Sequence, residues 1–136
     1  MASAAVMTAV KERLDAFWSR TEIRYLNDTF ETPTDGTPFL AVQYPVATEM
    51  QASIGAPGAN LYREEGIVRL VLMIERGAGV IDWTAWLDDL RRHFRGKSFG
   101  GVRTYEASPA VLDDRNDDGK YWALSCAVAY EADFLG

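Results

Sequence analysis

The sequence has little of the residue chemistry that most catalytic and metal sites need. Its 136 residues include one cysteine, Cys126, and one histidine, His93. A single thiol cannot form an internal disulfide. One cysteine and one histidine are also too few for a zinc site, which usually has four Cys or His ligands. The lone cysteine fits synthesis in a reducing cytoplasm. No apolar run approaches the roughly 20 residues that span a bilayer, and residues 1–10 lack a signal-peptide pattern, so we expect no membrane association.

Positive charge is also scarce. The chain has 14 Lys and Arg against 20 Asp and Glu, which gives a net charge of -6 and a pI near 4.7. Because DNA phosphates are bound by clustered cations, this balance disfavours sequence-specific nucleic-acid binding, although it leaves room for a local basic patch. Hydrophobic residues at 48% and charged residues at 25% are ordinary globular values. The length predicts a single domain spanning residues 1–136.

The most apolar stretch, residues 67–75, predicts the central strand of a sheet. Val68, Leu70, Leu72 and Ile74 recur with the two-residue period of a strand, whereas Arg69 lies on the other face. The face without the arginine should therefore be the drier one. A strand this apolar requires other elements to cover it.

Two amphipathic segments can provide that cover. Residues 3–20 predict a first helix, and residues 82–95 predict a second, with Asp82 as its N-cap and Gly96 as its stop. Apolar stripes at helical spacing support both, formed by Val6, Val10, Leu14 and Phe17 or Trp18, and by Trp83, Trp86, Leu87, Leu90 and Phe94.

Further strands are predicted at residues 39–44, ending at Pro45, and at residues 98–107 and 121–134. Residues 21–26 suggest a short extended segment, and residues 27–38 a loop. Residues 46–60 are the least regular part and predict a protruding hairpin tip or a long loop. The expected fold is α+β, a largely antiparallel four- to five-stranded sheet with two helices packed on one face.

Few residues are candidates for chemistry. Residues 114–119 match the opening of a calcium-binding loop, but the glutamate expected at loop position twelve is Ser125, so an acidic hairpin turn is the favoured interpretation. Cys126 is expected to be a core thiol and His93 a helix residue without a nucleophile nearby. We therefore expect no catalytic residue, no metal site and no cofactor, which favours an interaction protein.

Several turn and loop motifs together resemble a known family. They are residues 32–40 (TPTDGTPFL), 51–58 (QASIGAPG), Tyr62-Arg63, 94–97 (FRGK), 99–102 (FGGV) and 119–122 (GKYW). Their order along nearly the whole chain resembles the tail terminator-like proteins of long-tailed phages and related gene transfer particles.

The resemblance implies a structural virion protein that is not an enzyme. Such a subunit would be made in the bacterial host cytoplasm and would assemble into a hexameric ring at the head-proximal end of the tail. There it would stop polymerisation of the major tail tube protein and meet the head-tail connector protein, while DNA passes through the ring.

Two segments are candidate surfaces for this role. A ring subunit needs complementary patches on opposite sides, and we expect the segment from residue 48 to residue 63 to provide one of them. The candidate interface residues are Thr48, Met50, Gln51, Ser53, Ile54, Pro57, Asn60, Tyr62 and Arg63. The acidic turn, with Asp113, Asp114, Asp117 and Asp118, is a candidate for the ring lumen or a ring face, where carboxylates would repel passing phosphates.

Three alternatives stay open from the sequence. A tail-completion or head-tail connector protein shares the expected size and fold. A small metal-binding hydrolytic enzyme and a monomeric module that binds a host factor are further possibilities.

Overall fold

The computed structural model describes residues 1–113 and 121–136. In chain order the elements are α1 (Ala4–Phe17), β1 (Glu22–Arg24), β2 (Phe39–Gln51), β3 (Leu61–Glu75), α2 (Ile81–Phe94), β4 (Ser98–Phe99), β5 (Val102–Ala107), β6 (Val111–Asp113) and β7 (Tyr121–Leu135). The strands form one sheet in the order β1-β2-β3-β7-β5-β4, and β6 also pairs with β7.

The α+β class and the two helices are as predicted, but the strand count is not. The described residues form seven strands rather than four or five, and the sheet is mixed because β1 runs parallel to β2. The extra strands β1, β4 and β6 have only two or three residues each. β1 lies within the extended segment suggested for residues 21–26, and β4 lies within the strand predicted for residues 98–107. β6 was not predicted, since a three-residue segment carries too little periodicity to be recognised from sequence.

The core lies between the helices and one face of the sheet. Val68, Leu70, Leu72 and Ile74 of the central strand β3 are all at most 1% exposed, which confirms the predicted dry face. They pack in one cluster with residues of both helices, including Leu14 and Leu90, which are fully buried as well. Each such side chain contributes about 1.5–3 kcal/mol by burial. We call the opposite side of the sheet, which the helices do not cover, the outer face.

Both helices have ends that differ from the prediction. The Ser3 hydroxyl accepts from the Val6 N–H and caps α1, which ends at Phe17 rather than at Arg20. Trp18 takes an extended conformation and its indole N–H donates to Thr21 Oγ1 at 2.7 Å, so the chain leaves the helix there. The N-cap of α2 is Val80, and Asp82 lies in the first turn instead of capping it.

The second strand is longer than predicted, because Pro45 does not end it. β2 continues to Gln51 through a register shift between Gln43 and Val46. β1 pairs only with residues 39–41 of β2. Beyond that point β2 is an edge strand within the described structure, and an edge with a bulge tolerates a residue that has no N–H to donate.

The predicted strand over residues 98–107 is interrupted. Gly100 and Gly101 have φ angles of 54° and 82°, and they form the turn between β4 and β5.

The loop before β2 crosses the outer face, where the Tyr121 hydroxyl lies 2.9 Å from the carbonyl oxygens of both Pro33 and Thr37. That loop covers one end of the outer face.

Candidate assembly interface

A long β-hairpin carries all nine residues of the predicted interface. We call residues 46–65 the hairpin arm; it comprises the end of β2, the tip at residues 52–60 and the beginning of β3. Thr48, Met50 and Gln51 lie on β2, whereas Tyr62 and Arg63 lie on β3. Ser53, Ile54, Pro57 and Asn60 belong to the tip. The irregular region is therefore nine residues long rather than the fifteen predicted.

Specific hydrogen bonds order the tip. The Ala59 N–H donates to the Ala56 carbonyl at 2.8 Å and Gly58 has a φ of 84°, so Pro57 and Gly58 occupy the positions that a type II turn prefers for these residues. Asn60 is only 8% exposed, and its side-chain oxygen accepts from the Ala56 N–H at 3.0 Å. These hydrogen bonds give the tip a defined turn conformation.

The tip is also attached to the last residue of the described chain. Asn60 and Gly136 exchange two backbone hydrogen bonds of 2.9 Å each. β7 runs alongside the arm, with Leu61 opposite Leu135 and Glu65 opposite Glu131. The arm is therefore flanked by a third strand as far as Leu61, which limits how far it can bend.

A buried carboxylate connects the arm to the first helix. Glu64 is 7% exposed, and its Oε2 accepts from the Tyr130 hydroxyl at 2.6 Å and from the Ser3 N–H at 3.2 Å. Because Ser3 is the N-cap of α1, the same carboxylate lies at the positive end of that helix. Glu64 thus fixes the arm relative to the helix layer.

Charged side chains bridge three strands on the outer face of the arm. The Arg63 guanidinium donates to both carboxylate oxygens of Asp133, at 2.8 and 3.2 Å, and Arg103 donates to Glu131 and Asp133 at 2.9 Å each. The Tyr105 hydroxyl also donates to Glu131. This bonding to Tyr105 and then Arg103 lowers the pKa of Glu131, and bonding to Arg63 is the main cause that lowers the pKa of Asp133.

Large apolar side chains on the arm point into solvent. Val46 is 46% exposed, Met50 56% and Ile54 87%. Val46, Thr48 and Met50 follow one another along β2 with the two-residue period. They lie on the outer face opposite Ile67, Glu65 and Arg63 of β3, respectively. Exposed apolar groups grouped on one projecting element are typical of a surface that binds another protein.

A groove on the helix side is the second surface of interest. Phe17 of α1 and His93 of α2 stack with ring centroids 3.8 Å apart and planes 9° apart. The Arg13 guanidinium donates twice to the His93 carbonyl, at 3.1 and 2.8 Å, and so satisfies a carbonyl at the end of α2. Burial lowers the pKa of His93, and the charges of Arg13 and Lys97 lower it further.

Other surfaces offer less chemistry. A cleft of about 810 Å³ lies between the start of α2 and the loop before β2, where the Arg20 guanidinium lies over the rings of Trp18 and Trp86. Cys126 is 1% exposed, and burial raises the pKa of its thiol to about 12, as expected of a core thiol. Within residues 1–113 and 121–136, no group of three potential metal ligands comes together, and no helix is long and apolar enough to cross a membrane.

Comparison with protein families decides the identity of the chain. The model of a family described as phage tail terminator protein matches residues 5–130. The chain belongs to the phage tail terminator family. This membership assigns the protein to the phage tail, where it interacts with other tail components, and it indicates a structural rather than an enzymatic role.

Solved structures agree with the fold of this tail terminator. One of them matches with a TM-score of 0.62 and 17% sequence identity, and the match covers 100% of this chain and 99% of the other. At that identity the match shows the fold alone. Fourteen chains of solved structures match in all, whereas a search of curated protein sequences finds no match.

The acidic turn is only partly described. Asp113 is the last residue of β6 and pairs with Ala123 of β7. Asp114, Asp117 and Asp118 lie outside the described residues, as does the segment that resembles a calcium loop. The predicted role of this turn therefore stays a prediction.

The sequence did not predict the groove on the helix side, between the ends of α1 and α2. Its residues come from the ends of two helices and from the turn after α2, so no single segment reveals it. A usable signal was present, since five of the seven residues 91–97 are Arg, His or Lys in an acidic chain.

Proposed function

We propose that this tail terminator forms a closed, hexameric ring at the head-proximal end of the tail tube. The ring stops polymerisation of the tube protein and presents a surface to the head-tail connector protein. The family match over residues 5–130 is the observation that carries this proposal. The rigid arm adds support, because a ring subunit needs a projecting surface that reaches its neighbour.

The arm supplies one side of the contact between subunits in this proposal. Its tip and base are held by the Asn60, Gly136 and Glu64 hydrogen bonds, so little conformational entropy is lost when a neighbour binds. Met50 and Ile54 are its most exposed apolar groups, which makes them the expected anchors.

The acidic turn faces the ring lumen or a ring face in the same proposal. Carboxylates at Asp113, Asp114, Asp117 and Asp118 would repel DNA phosphates and keep the genome from adhering as it passes. Replacing all four by Asn should slow DNA ejection while ring assembly persists. Unchanged ejection in that variant would remove this part of the proposal.

The first experiment measures solution mass by light scattering over a concentration series, with negative-stain images of the most concentrated sample. A closed ring with a central hole is the expected result. The same protein is then added to polymerising tail tube protein, and tube lengths are measured by electron microscopy. Shorter tubes with a ring at one end support the proposal, whereas binding to the connector without any effect on tube length indicates a connector protein instead.

A matched pair of variants tests the arm. Ile54 and Ile81 are both isoleucines at similar exposure, 87% and 82%, but Ile81 lies at the start of α2, away from the arm. Ile54→Ser should raise the concentration for half-assembly about tenfold, which corresponds to about 1.4 kcal/mol of lost apolar burial. Ile81→Ser is the control and should assemble as the parent does. Equal behaviour of the two variants would mean that the arm tip is not an anchor.

A further inference from the structure

The chain is acidic overall, but a groove between its helices is strongly basic. We call the depression of about 430 Å³ between the ends of the two helices the basic groove; it is lined by Arg13, Phe17, Arg20, Asp89, Arg92, His93 and Lys97. Among these residues four are cations and one is a carboxylate. That carboxylate, Asp89, is already paired with Arg20 and Arg92. The groove therefore presents net positive charge on a chain whose net charge is -6.

The groove also has an apolar section. An adjoining depression of about 380 Å³ shares Arg13, Phe17 and His93 and extends over Ala16 and Phe99; Glu12 is the one carboxylate among the residues that line it. Phe17 is 39% exposed, and the stacked pair of Phe17 and His93 forms a flat aromatic floor. A partner that fits this surface has carboxylates beside apolar side chains.

The outer face at the base of the arm has that composition. Glu65 of the arm and Glu106 of β5 are exposed around the same depression of about 250 Å³, and within the described part of the chain neither has an ion pair. Val46 and Met50 lie on the same face of β2, so apolar side chains adjoin the carboxylates. The same molecule therefore carries two surfaces of opposite charge, and each of them also includes apolar side chains.

The two surfaces lie on opposite sides of the subunit. The basic groove belongs to the helix layer, which covers one face of the sheet, whereas Glu65, Val46 and Met50 belong to the outer face. A contact between them cannot be two-fold symmetric; it joins copies head to tail, and such contacts close into rings when the rotation permits.

We propose that the basic groove of one subunit receives the outer face of the next subunit at the base of its hairpin arm, where Glu106 of β5 also contributes. Glu65 and Glu106 then face Arg92 and Lys97, while Met50 packs against the aromatic floor. This inference rests on the proposed ring and names the two surfaces that build it. Charge complementarity sets which faces meet and in which orientation.

Charge reversal on each surface provides the test. A groove variant, Arg92→Glu with Lys97→Glu, has acidic charge on both surfaces, and an arm variant, Glu65→Lys with Glu106→Lys, has basic charge on both. All four side chains are exposed, so folding should persist, which thermal unfolding checks. For each variant alone, the protein concentration needed for half-assembly should rise at least about tenfold, as measured by light scattering at low salt.

Mixing the two variants is the decisive step. In a head-to-tail ring their subunits can alternate, so an equimolar mixture should recover closed rings that contain both. The control is a mixture of the groove variant with Glu22→Lys/Glu31→Lys, which has the same added charge away from the arm. Both contact surfaces of that protein are intact, so it should form rings as the parent does, and those rings should not contain the groove variant. A chain with all four reversals should assemble on its own.

The outcomes separate this inference from the proposed function. If the parent protein forms rings or terminates tubes but the groove and arm variants do so equally well, the interface inference is wrong and the proposed function stands. If the parent does neither, the proposed function fails. The groove variant could instead assemble as the parent does but lose binding of short duplex DNA. That result would show that the groove binds phosphates, and it would also overturn the inference. Where the parent assembles only on tubes, the same mixtures are scored by tube length.

Discussion

Replacing Gly66 by alanine tests how the arm is set on the body of the protein. Gly66 lies on β3 where the arm begins, opposite Ala47 on one side and Tyr130 on the other. A Cβ at this position would lie 2.5 Å from the Val46 carbonyl oxygen and 2.7 Å from the Tyr130 hydroxyl. Both distances are far below van der Waals contact, and the first involves backbone that cannot rotate away.

The cost of the change can be estimated from these contacts. Overpacking of this kind costs about 1–3 kcal/mol, and displacing Tyr130 would weaken its 2.6 Å hydrogen bond to the Glu64 carboxylate, a bond to a charged group worth about 1.5–3 kcal/mol. Alanine also restricts the unfolded chain more than glycine does, and this effect stabilises the folded state by about 0.4–1 kcal/mol, which offsets part of the cost. We therefore expect Gly66→Ala to lower the free energy of unfolding by about 2 kcal/mol or more.

Urea denaturation followed by tryptophan fluorescence measures this change. At this chain length about 2 kcal/mol corresponds to a fall in Tm of roughly 6–10 °C. The same substitution in a Tyr130→Phe background should cost less, since the contact with the hydroxyl and the hydrogen bond to Glu64 are then absent. The ring carbon Cε1 would still lie 2.9 Å from the new Cβ, so part of the cost should remain. A Gly66→Ala protein as stable as the parent would refute the account, because it would mean that β2 can move away from β3 at no cost.

Three further predictions concern single residues. Asn60→Ala should cost about 1 kcal/mol, because the Ala56 N–H loses its acceptor, and hydrogen exchange should speed up at Ala56 while amides in β3 beyond the arm keep their rates. Because burial and nearby cations lower the pKa of His93 in the folded protein, the unfolded chain binds the proton more readily. Stability should therefore fall as the pH drops below about 6.5, and His93→Gln should flatten that part of the urea-denaturation profile; an unchanged profile would contradict this assignment. Cys126, with its pKa raised to about 12, should react with a maleimide only at the rate of unfolding, and immediate labelling at neutral pH would contradict its burial.

Sequence patterns predicted the body of the fold well, because its elements are long and strongly periodic. The alternation in residues 67–75 identified the buried face of β3, and the helical stripes identified both helices. For residues 46–60 the sequence predicted a protruding hairpin tip or a long loop, and residues 52–60 form the hairpin tip while residues 46–51 belong to β2. It did not show that β2 runs through Pro45, since a proline ends most strands and only the bulge and the free edge make it acceptable here.

The components of the candidate site were predictable to a lesser degree. Arg63 was assigned to the arm from sequence, but its ion pair with Asp133 joins residues 70 positions apart, and local patterns contain no information on such a pair. The same holds for Glu64. Its burial follows only from the position of Tyr130 and the start of α1.

The position of Glu64 explains why one buried charge is useful in a protein of this kind. A carboxylate removed from water is costly unless its partners are fixed, and here the partners belong to β7 and to the start of α1. The arm direction is therefore coupled to the helix layer that contains the basic groove. In a head-to-tail ring the angle between the two contact surfaces of each subunit determines whether the ring closes and with how many copies. Glu64→Gln, which keeps the size and loses the charge, should thus broaden the distribution of ring sizes in negative-stain images more than it lowers stability, and a uniform ring population would argue that the angle is set elsewhere.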